Sequence, residues 1–401
     1  MNRFTKKRDK FENHCLNSMA LFTKYQIMLT ATRLTYTVAK YNANLVRCFS
    51  SIHSTGKIAR HQSYPDVTSR PFRSMLYVPA SNTRALEKLS KFTFGMKPDS
   101  VMYDLEDGVG PASKDEARDN LRQFFRNQKE KDRNPPRHFG LIRVNRMDTP
   151  WFEKDTAAVV EFFEEDADNE LIHGVILPKI EGWNDVNSVS KHFQDLFGET
   201  SPSSPLKDLN YSNPATSPPI ISPIPFWAMM ETPRAILSAS SIASHPSIQG
   251  LILGTNDLSK EIRLRPHSHK ATRSGLSTSL QVTILAARAY NKLVIDGVYN
   301  HFNDDEGFRE ECNQGKEWGM DGKTLIHPNQ LSAANEIFAP SKEEIEYARR
   351  VLDCWEAVSS NSDEQFTGVA VLNGLMIEEL HVESARKLLE RANAIASFES
   401  S

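Results

Sequence analysis

Cysteine is scarce in this sequence, with four residues among 401. They stand far apart, and no two form a C-x-x-C pair: Cys15, Cys48, Cys312 and Cys354. A disulfide framework or a zinc site of the usual spacing needs cysteines grouped along the chain. The sequence therefore argues against both and favours a reducing compartment.

Long apolar runs and a strong net charge are also missing. No run approaches the roughly 20 residues that span a bilayer, so we expect no membrane segment. The net charge is −3, which gives no reason to expect a nucleic-acid partner. With 39% hydrophobic and 25% charged residues, the composition suits one large α/β domain with appendages.

Aspartate and glutamate are absent from residues 13–65, whereas lysine and arginine recur there. An acid-free leader that contains arginine, serine and small apolar residues is typical of a mitochondrial transit peptide. Residues 47–51, Arg-Cys-Phe-Ser-Ser, resemble a processing site. We therefore interpret residues 1–70 as a transit peptide and disordered leader, and we expect the protein in the mitochondrial matrix. A disordered basic tail is the alternative.

Short apolar, β-rich segments alternate with helical segments over residues 71–340. We predict eight strands, at Arg73–Pro79, Asp99–Asp104, Gly140–Asn145, Gly174–Pro178, Phe226–Met230, Gly250–Leu253, Leu293–Gly297 and Gly322–Ile326. This alternation indicates a parallel sheet, and eight such units predict a (β/α)8 TIM barrel. A doubly wound open sheet is the alternative. It often has a glycine-rich phosphate turn after its first strand, whereas this chain has Pro-Ala-Ser-Asn-Thr-Arg.

Two segments depart from the alternation. Residues 199–225 are rich in serine, proline and asparagine, which predicts a disordered or surface insertion. Residues 341–401 contain a predicted helix, a hairpin with Asn373-Gly374 as its turn, and a final amphipathic helix. We interpret this C-terminal part as a lid segment. Because the hairpin and last helix are too small for a core of their own, we expect them to dock onto a barrel, either their own or a neighbour's.

The most informative stretch is Phe226–Ile262, in which a strand, a carboxylate, a helix, a second strand and a second carboxylate follow one another. The two carboxylates are Glu231 and Asp257. Because neighbouring parallel strands end at the same edge, both acids should lie together at the carboxyl end of the barrel. Two hard oxygen ligands with few others nearby suit Mg²⁺. Helix capping by each acid is the alternative.

Charged side chains also follow other predicted strands. Asp104, Glu106 and Asp107 end strand two, and Arg143 lies in strand three. An arginine fork can hold a carboxylate while a metal polarises a neighbouring carbonyl oxygen, which favours an aldol or Claisen reaction. The alternative for Arg143 is a structural ion pair with one of these acids. His327, after strand eight, is equally compatible with a structural role.

Eight motifs make the sequence similar to a known family: RSMLYVPASNTRALEK, DLEDGVGPASKDEAR, IRVN, LPKIE, METPRAIL, GTNDLSKE, GKTLIHPNQ and NGLMIEELHVESAR. In this order, from Arg73 to Ile395, they resemble the citrate lyase beta-subunit-like proteins of the HpcH/HpaI aldolase family. The resemblance implies a Mg²⁺-dependent barrel, usually a homotrimer, that acts on acyl-CoA esters of 2-hydroxy diacids. We expect cleavage of citramalyl-CoA or malyl-CoA to acetyl-CoA and pyruvate or glyoxylate, with reverse synthase or thioesterase activity left open.

The resemblance also implies roles for individual residues. Glu231 and Asp257 match the metal ligands, and Glu231 also adjoins the substrate. Arg143 matches the arginine that holds the substrate carboxylate. The other positions that match contacts to the CoA or acyl part are Tyr77, Arg84, Lys88, Ile326 and His327.

Glu378 matches the acid that the tail places over a neighbouring active site, as general base towards the acetyl-CoA methyl group. Relatives have Met-Ile-Asp-x-Pro there, whereas residues 376–380 of this chain are Met-Ile-Glu-Glu-Leu. A misplacement of about an ångström costs on the order of a hundredfold in rate. Two other functions therefore stay open: a non-catalytic acyl-CoA-binding member and a CoA-independent class II 2-oxo acid aldolase. Arg84 and Lys88 argue against the aldolase, because they suit CoA phosphates.

Overall fold

The computed structural model describes residues 67, 70–89, 97–131, 138–166, 171–200, 220–265, 269–360 and 368–400. The predicted transit peptide up to residue 66 and most of the Ser/Pro-rich insertion, residues 201–219, lie outside the described residues. Within the described ranges, no helix is long and apolar enough to cross a membrane.

Eight parallel strands form a closed barrel in sequence order. The strands are β1 Ser74–Pro79, β2 Ser100–Asp104, β3 Phe139–Arg143, β4 Gly174–Leu177, β5 Phe226–Met230, β6 Ile248–Leu253, β7 Leu293–Asp296 and β8 Gly322–Leu325. The barrel closes where β1 pairs with β8, with Met75 opposite Thr324. This closure confirms the predicted (β/α)8 barrel and excludes the open sheet.

Helices connect the strands and continue beyond them. They are α1 Thr83–Leu89, α2 Lys114–Lys131, α3 Phe152–Glu165, α4 Trp183–Thr200, α5 Pro233–Leu237, α6 Ala239–Ala243, α7 Thr255–Glu261, α8 His269–Ala289, α9 Asp305–Trp318, α10 Leu331–Phe338, α11 Lys342–Ser359 and α12 Glu379–Ser400. Helix α10 was not predicted, because its eight residues carry too little apolar periodicity.

Successive side chains of each strand point alternately into the barrel and towards the helices, which gives an inner core and an outer core under the helices. The inner core is filled by large side chains: Phe72, Met75, Met102, Phe139, Leu141, Ile176, Trp227, Met229, Ile252 and Ile295. Trp227 lies across Gly250, where a Cβ would come within 2.3 Å of the indole ring. Glycine is required there because the barrel is packed to its centre.

The barrel unit begins before residue 71, the boundary predicted from the sequence. Val67 is 8% exposed and belongs to the inner core. The Arg70 guanidinium lies 5.8 Å from the centre of the Phe139 ring. These residues pack at the amino-terminal end of the barrel, so the folded unit overlaps the last residues of the predicted leader.

Buried charges tie the last two strands to their helices. Lys323 in β8 is fully buried, and its ammonium group lies 2.9 Å from Asp296 and 2.6 Å from Glu311. Arg273 in α8 donates to both carboxylate oxygens of Asp296, at 2.8 and 3.0 Å. The two cations thus share two carboxylates, and this network joins β7, β8, α8 and α9.

The tail forms a hairpin, β9 Ala370–Leu372 and β10 Leu375–Ile377, between α11 and α12. Asn373 and Gly374 have φ angles of 52° and 79°, as the predicted turn requires. The hairpin and α12 share a small apolar core with α11: Ala348, Val351, Trp355, Ala370, Ile377, Val382 and Ala385. The inclusion of α11 supplies the missing apolar surface.

The far end of α12 docks under the barrel. Arg391 donates to the carbonyl oxygen of Asp321, just before β8, at 2.7 Å. Glu399 lies 2.7 Å from Arg73, just before β1. Both contacts are at the amino-terminal ends of strands.

We predict that Asp296→Asn lowers the free energy of unfolding by about 3 kcal/mol, because Lys323 and Arg273 then stay buried with one carboxylate fewer. Asp305 offers a matched control, because its side chain is 70% exposed and pairs only at the surface with Arg309. Asp305→Asn should change stability by less than about 0.5 kcal/mol. Urea unfolding curves measure both, and equal small effects would show that the buried network does not stabilise the barrel.

Candidate active site

Glu231 directly follows β5 and is fully buried at the carboxyl end of the barrel. Its Oε1 accepts a hydrogen bond from the backbone N–H of Lys179 at 2.7 Å. Its Oε2 is buried and has no hydrogen-bond partner among the described residues. Burial and the nearby charge of Glu106 raise the pKa of Glu231 to about 7, although Arg143 and Lys179 oppose the shift.

Asp257 lies on the neighbouring strand connection, in the first turn of α7, and is half-buried. Gly254 links β6 to this helix and donates from its N–H to the carbonyl oxygen of Met230 at 3.1 Å. A Cβ at Gly254 would lie 2.4 Å from the Cβ of Glu231. The glycine therefore lets the Asp257 helix start directly against Glu231, as the predicted pair at one barrel edge requires.

This pair fits Mg²⁺ better than a metal that needs a full protein shell. No group of three or more histidine, cysteine, aspartate or glutamate residues in the described part of the chain could hold a metal. Mg²⁺ commonly takes one or two carboxylates and completes its shell with water and substrate oxygens. The unpartnered Oε2 of Glu231 is the kind of buried acceptor that a cation would satisfy.

Arg143 is buried in β3 and held by acids. Its Nε and Nη2 each donate to one carboxylate oxygen of Asp104, at 2.7 Å, and Nη1 lies 2.9 Å from Glu106. Burial disfavours the charged form of Asp104, but Arg143 outweighs it and lowers the pKa of that carboxyl. The structural ion pair considered as an alternative thus exists. Three of the five N–H groups face these two acids, which leaves two.

Lys179 links Glu231 to the ion pairs around Arg143. Its φ of 49° is in the left-handed region, which is uncommon for a residue other than glycine. Its backbone N–H holds Glu231, while its ammonium group lies 3.1 Å from Glu106 and 3.8 Å from Asp107. Burial lowers the pKa of Lys179, but the charge of Glu106 outweighs this and the pKa is raised.

A buried lysine outside the predicted site orders the loop after β2. Lys114, 5% exposed, donates to the carbonyl oxygens of Leu105 and Glu106 and to Asn145, at 2.7, 2.8 and 2.7 Å. Asn145 is in turn held by Asp155, at 2.6 Å from its side-chain amide. Lys114 was not predicted as a site residue, because it begins a charged amphipathic helix, a pattern typical of the surface.

The predicted contacts from β1 and α1 lie in two environments. Tyr77 is half-buried, and the Arg143 guanidinium lies 5.2 Å from the centre of its ring. Arg84 and Lys88 are exposed and one turn apart on α1. They therefore present two cations on one face of this helix.

The predicted contacts from β8 lie beside the β1 strand end. Ile326 is 38% exposed. Its N–H and that of His327 donate to the side-chain oxygen of Gln330, at 3.0 and 3.2 Å. The His327 ring stacks on Phe302, with ring centroids 4.9 Å apart. His327 also caps the short helical turn that follows it, so it has the structural role that was considered as an alternative.

Glu378 stands apart from these groups. It precedes α12 and is half-buried, and its backbone N–H donates to Nδ1 of His381 at 3.1 Å. The apolar cluster around it consists entirely of tail residues. The structure thus brings Glu231, Asp257, Arg143 and Tyr77 to the barrel mouth, and it leaves Glu378 on the tail.

A cavity of about 400 Å³ opens between the ends of β3 and β4. Its walls include Met147, Phe152, Leu177, Lys179 and Glu181. This volume is in the range of small-molecule sites, and Lys179 links it to the carboxylate pair.

Comparisons with known proteins show the family of the chain. The family model described as HpcH/HpaI aldolase/citrate lyase matches residues 73–328. A (3S)-malyl-CoA thioesterase of Cereibacter sphaeroides is 39% identical over 332 residues, covering 82% of this chain and 98% of the relative. An L-malyl-CoA/beta-methylmalyl-CoA lyase of the same organism is 26% identical over 348 residues, covering 83% and 98%.

A solved structure has the same fold. It is CitE from Mycobacterium tuberculosis in complex with magnesium, acetoacetate and coenzyme A, with a TM-score of 0.57 and 24% identity, covering 82% of this chain and 100% of that chain. From the family match and the relatives, the chain belongs to the HpcH/HpaI aldolase/citrate lyase family, a family of carbon–carbon lyases.

Proposed function

We propose that the protein is a Mg²⁺-dependent lyase that cleaves the CoA thioester of a 2-hydroxy diacid, citramalyl-CoA or malyl-CoA, to acetyl-CoA and pyruvate or glyoxylate. The observation that carries the proposal is the unpartnered, buried Oε2 of Glu231 beside the Asp257 helix. The relative named as a malyl-CoA lyase supports the substrate class. The magnesium in the CitE structure is in keeping with the metal.

In this proposal the chain's own residues bind and orient the substrate. Glu231 and Asp257 hold the metal, and the Lys179 N–H fixes the orientation of Glu231. The two remaining N–H groups of Arg143 bind the substrate carboxylate, while Asp104 keeps the guanidinium plane in place. When bound, Mg²⁺ supplies positive charge that polarises a substrate oxygen.

The bond that breaks joins the hydroxyl-bearing carbon to the carbon next to the thioester. Its electron pair moves onto the acetyl-CoA fragment as an enolate, and the hydroxyl proton passes to water as the oxo acid forms. Glu378, in its protonated form, gives a proton to the methylene carbon, which completes acetyl-CoA, and it regains a proton from water. In the reverse direction its carboxylate removes that proton.

A second candidate is hydrolysis of the same thioester. The relative named as a (3S)-malyl-CoA thioesterase favours it, at 39% identity over 98% of that relative. Water then attacks the thioester carbonyl, and the products are free CoA and the diacid. The same binding groups serve both reactions, so the products distinguish them.

We predict that residues 64–401, the unit that contains the whole barrel and tail, release acetyl-CoA from (S)-citramalyl-CoA or malyl-CoA when Mg²⁺ is present. A coupled assay detects pyruvate or glyoxylate beside acetyl-CoA. Free CoA without acetyl-CoA would identify the thioesterase. No turnover of either thioester, with Mg²⁺ bound, would contradict both reactions and favour the non-catalytic acyl-CoA-binding function.

Variants of the two proposed metal ligands, Glu231 and Asp257, test the need for the metal in this assay. Glu231→Gln or Asp257→Asn should reduce turnover by at least about a hundredfold, because the metal's charge stabilisation is worth several kcal/mol. Both variants should also weaken Mg²⁺ binding in calorimetry. Glu261→Gln changes an exposed carboxylate one turn after Asp257 on α7 and should leave both properties intact. Full activity of the Glu231 and Asp257 variants would contradict the metal assignment.

We further propose a homotrimer in which each tail covers a neighbour's barrel mouth. The far end of α12 is anchored under its own barrel through Arg391, and Glu378 lies about 20 Å from it along the helix at 1.5 Å per residue. Apolar side chains flank Glu378 and are more than half exposed: Val371, Leu375, Met376 and Leu380. An exposed apolar surface of this kind favours burial against another subunit.

We predict complementation between two inactive variants, Glu231→Gln and Glu378→Gln. In co-expressed mixed trimers, about a quarter of the sites would combine an intact mouth from one chain with an intact tail from another. Activity should therefore return to about a quarter of the unsubstituted level. If Glu378 acted on its own barrel, no mixed site would be intact and activity would stay absent. Light scattering that shows a monomer would contradict the trimer.

The acid-free leader supports a further proposal, import into the mitochondrial matrix. We predict that residues 1–70 direct a fused fluorescent protein to mitochondria. A matched fusion with Arg33→Glu and Arg47→Glu should remain outside, because import of such leaders depends on their positive charge. Equal distribution of the two fusions would contradict the transit-peptide interpretation.

A further inference from the structure

An arginine and a histidine meet at the amino-terminal end of the barrel, opposite the proposed active site. Arg70 lies on the segment before β1, and His173 directly precedes β4. Nη1 of Arg70 lies 3.3 Å from Nε2 of His173. We propose that these two side chains form a binding site for a small oxyanion such as phosphate, and we call it the Arg70 site.

The hydrogen bonding of His173 makes its Nε2 atom a donor. The backbone N–H of Gly140 donates to Nδ1 of His173 at 3.1 Å, so Nδ1 carries no proton. Burial, reinforced by the charge of Arg70, lowers the pKa of His173 to about 3. The ring is therefore neutral near pH 7, and its single proton is on Nε2.

Two donors thus face each other where Arg70 meets His173. A guanidinium group has five N–H donors and no acceptor, so Arg70 cannot accept the proton of Nε2. The two side chains cannot form a hydrogen bond with each other, and both N–H groups need an acceptor. An oxygen atom of an anion, placed within reach of both groups, would accept from both and form a charge-assisted bond with Arg70.

The charge of Arg70 points to the same ligand. Within the described ranges burial lowers the pKa of its guanidinium, and no carboxylate opposes this shift. Arg73, at the same end of the barrel, is by contrast paired with Asp99 and Glu399, at 2.9 and 2.7 Å. A partly buried cation without an acidic partner is costly, so an anion that reaches Arg70 would be stabilised there.

The Arg70 site is fixed on one side and open on the other. His173 is 6% exposed, and its ring is stacked on Phe139 with ring centroids 4.3 Å apart. Arg70 is exposed, so an anion can enter from solvent. A bound anion would join the segment before β1 to the start of β4, and it would thereby stabilise the amino-terminal end of the barrel.

Calorimetry of the full-length protein with inorganic phosphate, without added Mg²⁺, tests this inference. We expect Arg70→Gln to bind phosphate about tenfold or more weakly, because it removes a charged hydrogen-bond donor. Arg84→Gln is the matched control, since it removes an equal charge from an exposed residue at the opposite end of the barrel. It should leave the affinity of the Arg70 site unchanged.

Crystals soaked in selenate locate the anion directly, because selenium scatters anomalously. We expect a peak whose oxygen atoms lie within hydrogen-bond distance of both Arg70 Nη1 and His173 Nε2. Equal phosphate affinity in Arg70→Gln and the unsubstituted protein would overturn the inference. A loss in Arg84→Gln alone, or selenate found only at other positions, would also overturn it. The proposed lyase reaction does not depend on these outcomes, because it takes place at the other end of the barrel.

Discussion

The ion pair between Arg143 and Asp104 is the interaction on which the barrel mouth depends. Both side chains are buried, and a buried charge is costly unless an opposite charge compensates for it. Arg143 compensates Asp104 and Glu106, and Lys179 compensates Glu106 from the other side. Removing any of these charges would leave another unbalanced in a low-dielectric site. The acids and cations after four strands therefore form one electrostatic unit, with Glu231 at its edge.

Backbone geometry supports this unit as much as charge does. The left-handed Lys179 residue directs its N–H to Glu231, and Gly254 allows the next strand connection to approach the same carboxylate. Lys114 binds two carbonyl oxygens of the loop that carries Glu106. The loops are thus ordered by polar contacts to their backbones, which preorganises the charged side chains for ligand binding.

The tail has a different relation to the barrel. It has its own apolar cluster and reaches the barrel through the polar contacts of Arg391 and Glu399 at the amino-terminal strand ends. The apolar residues around Glu378 remain exposed. This arrangement supports the proposed trimer, in which Glu378 would reach the barrel mouth of a neighbouring subunit.

The sequence by itself determined the barrel, because eight alternating units have few other compact arrangements. It also placed Glu231 and Asp257 together, because they follow consecutive parallel strands. It did not reveal the burial of Lys114, which depends on the carbonyl oxygens of Leu105 and Glu106 in the preceding loop. Nor could it show that Arg143 is held by Asp104, or that Phe302 stacks on His327 across two loops. Such contacts join residues distant in sequence, so only the tertiary structure decided them.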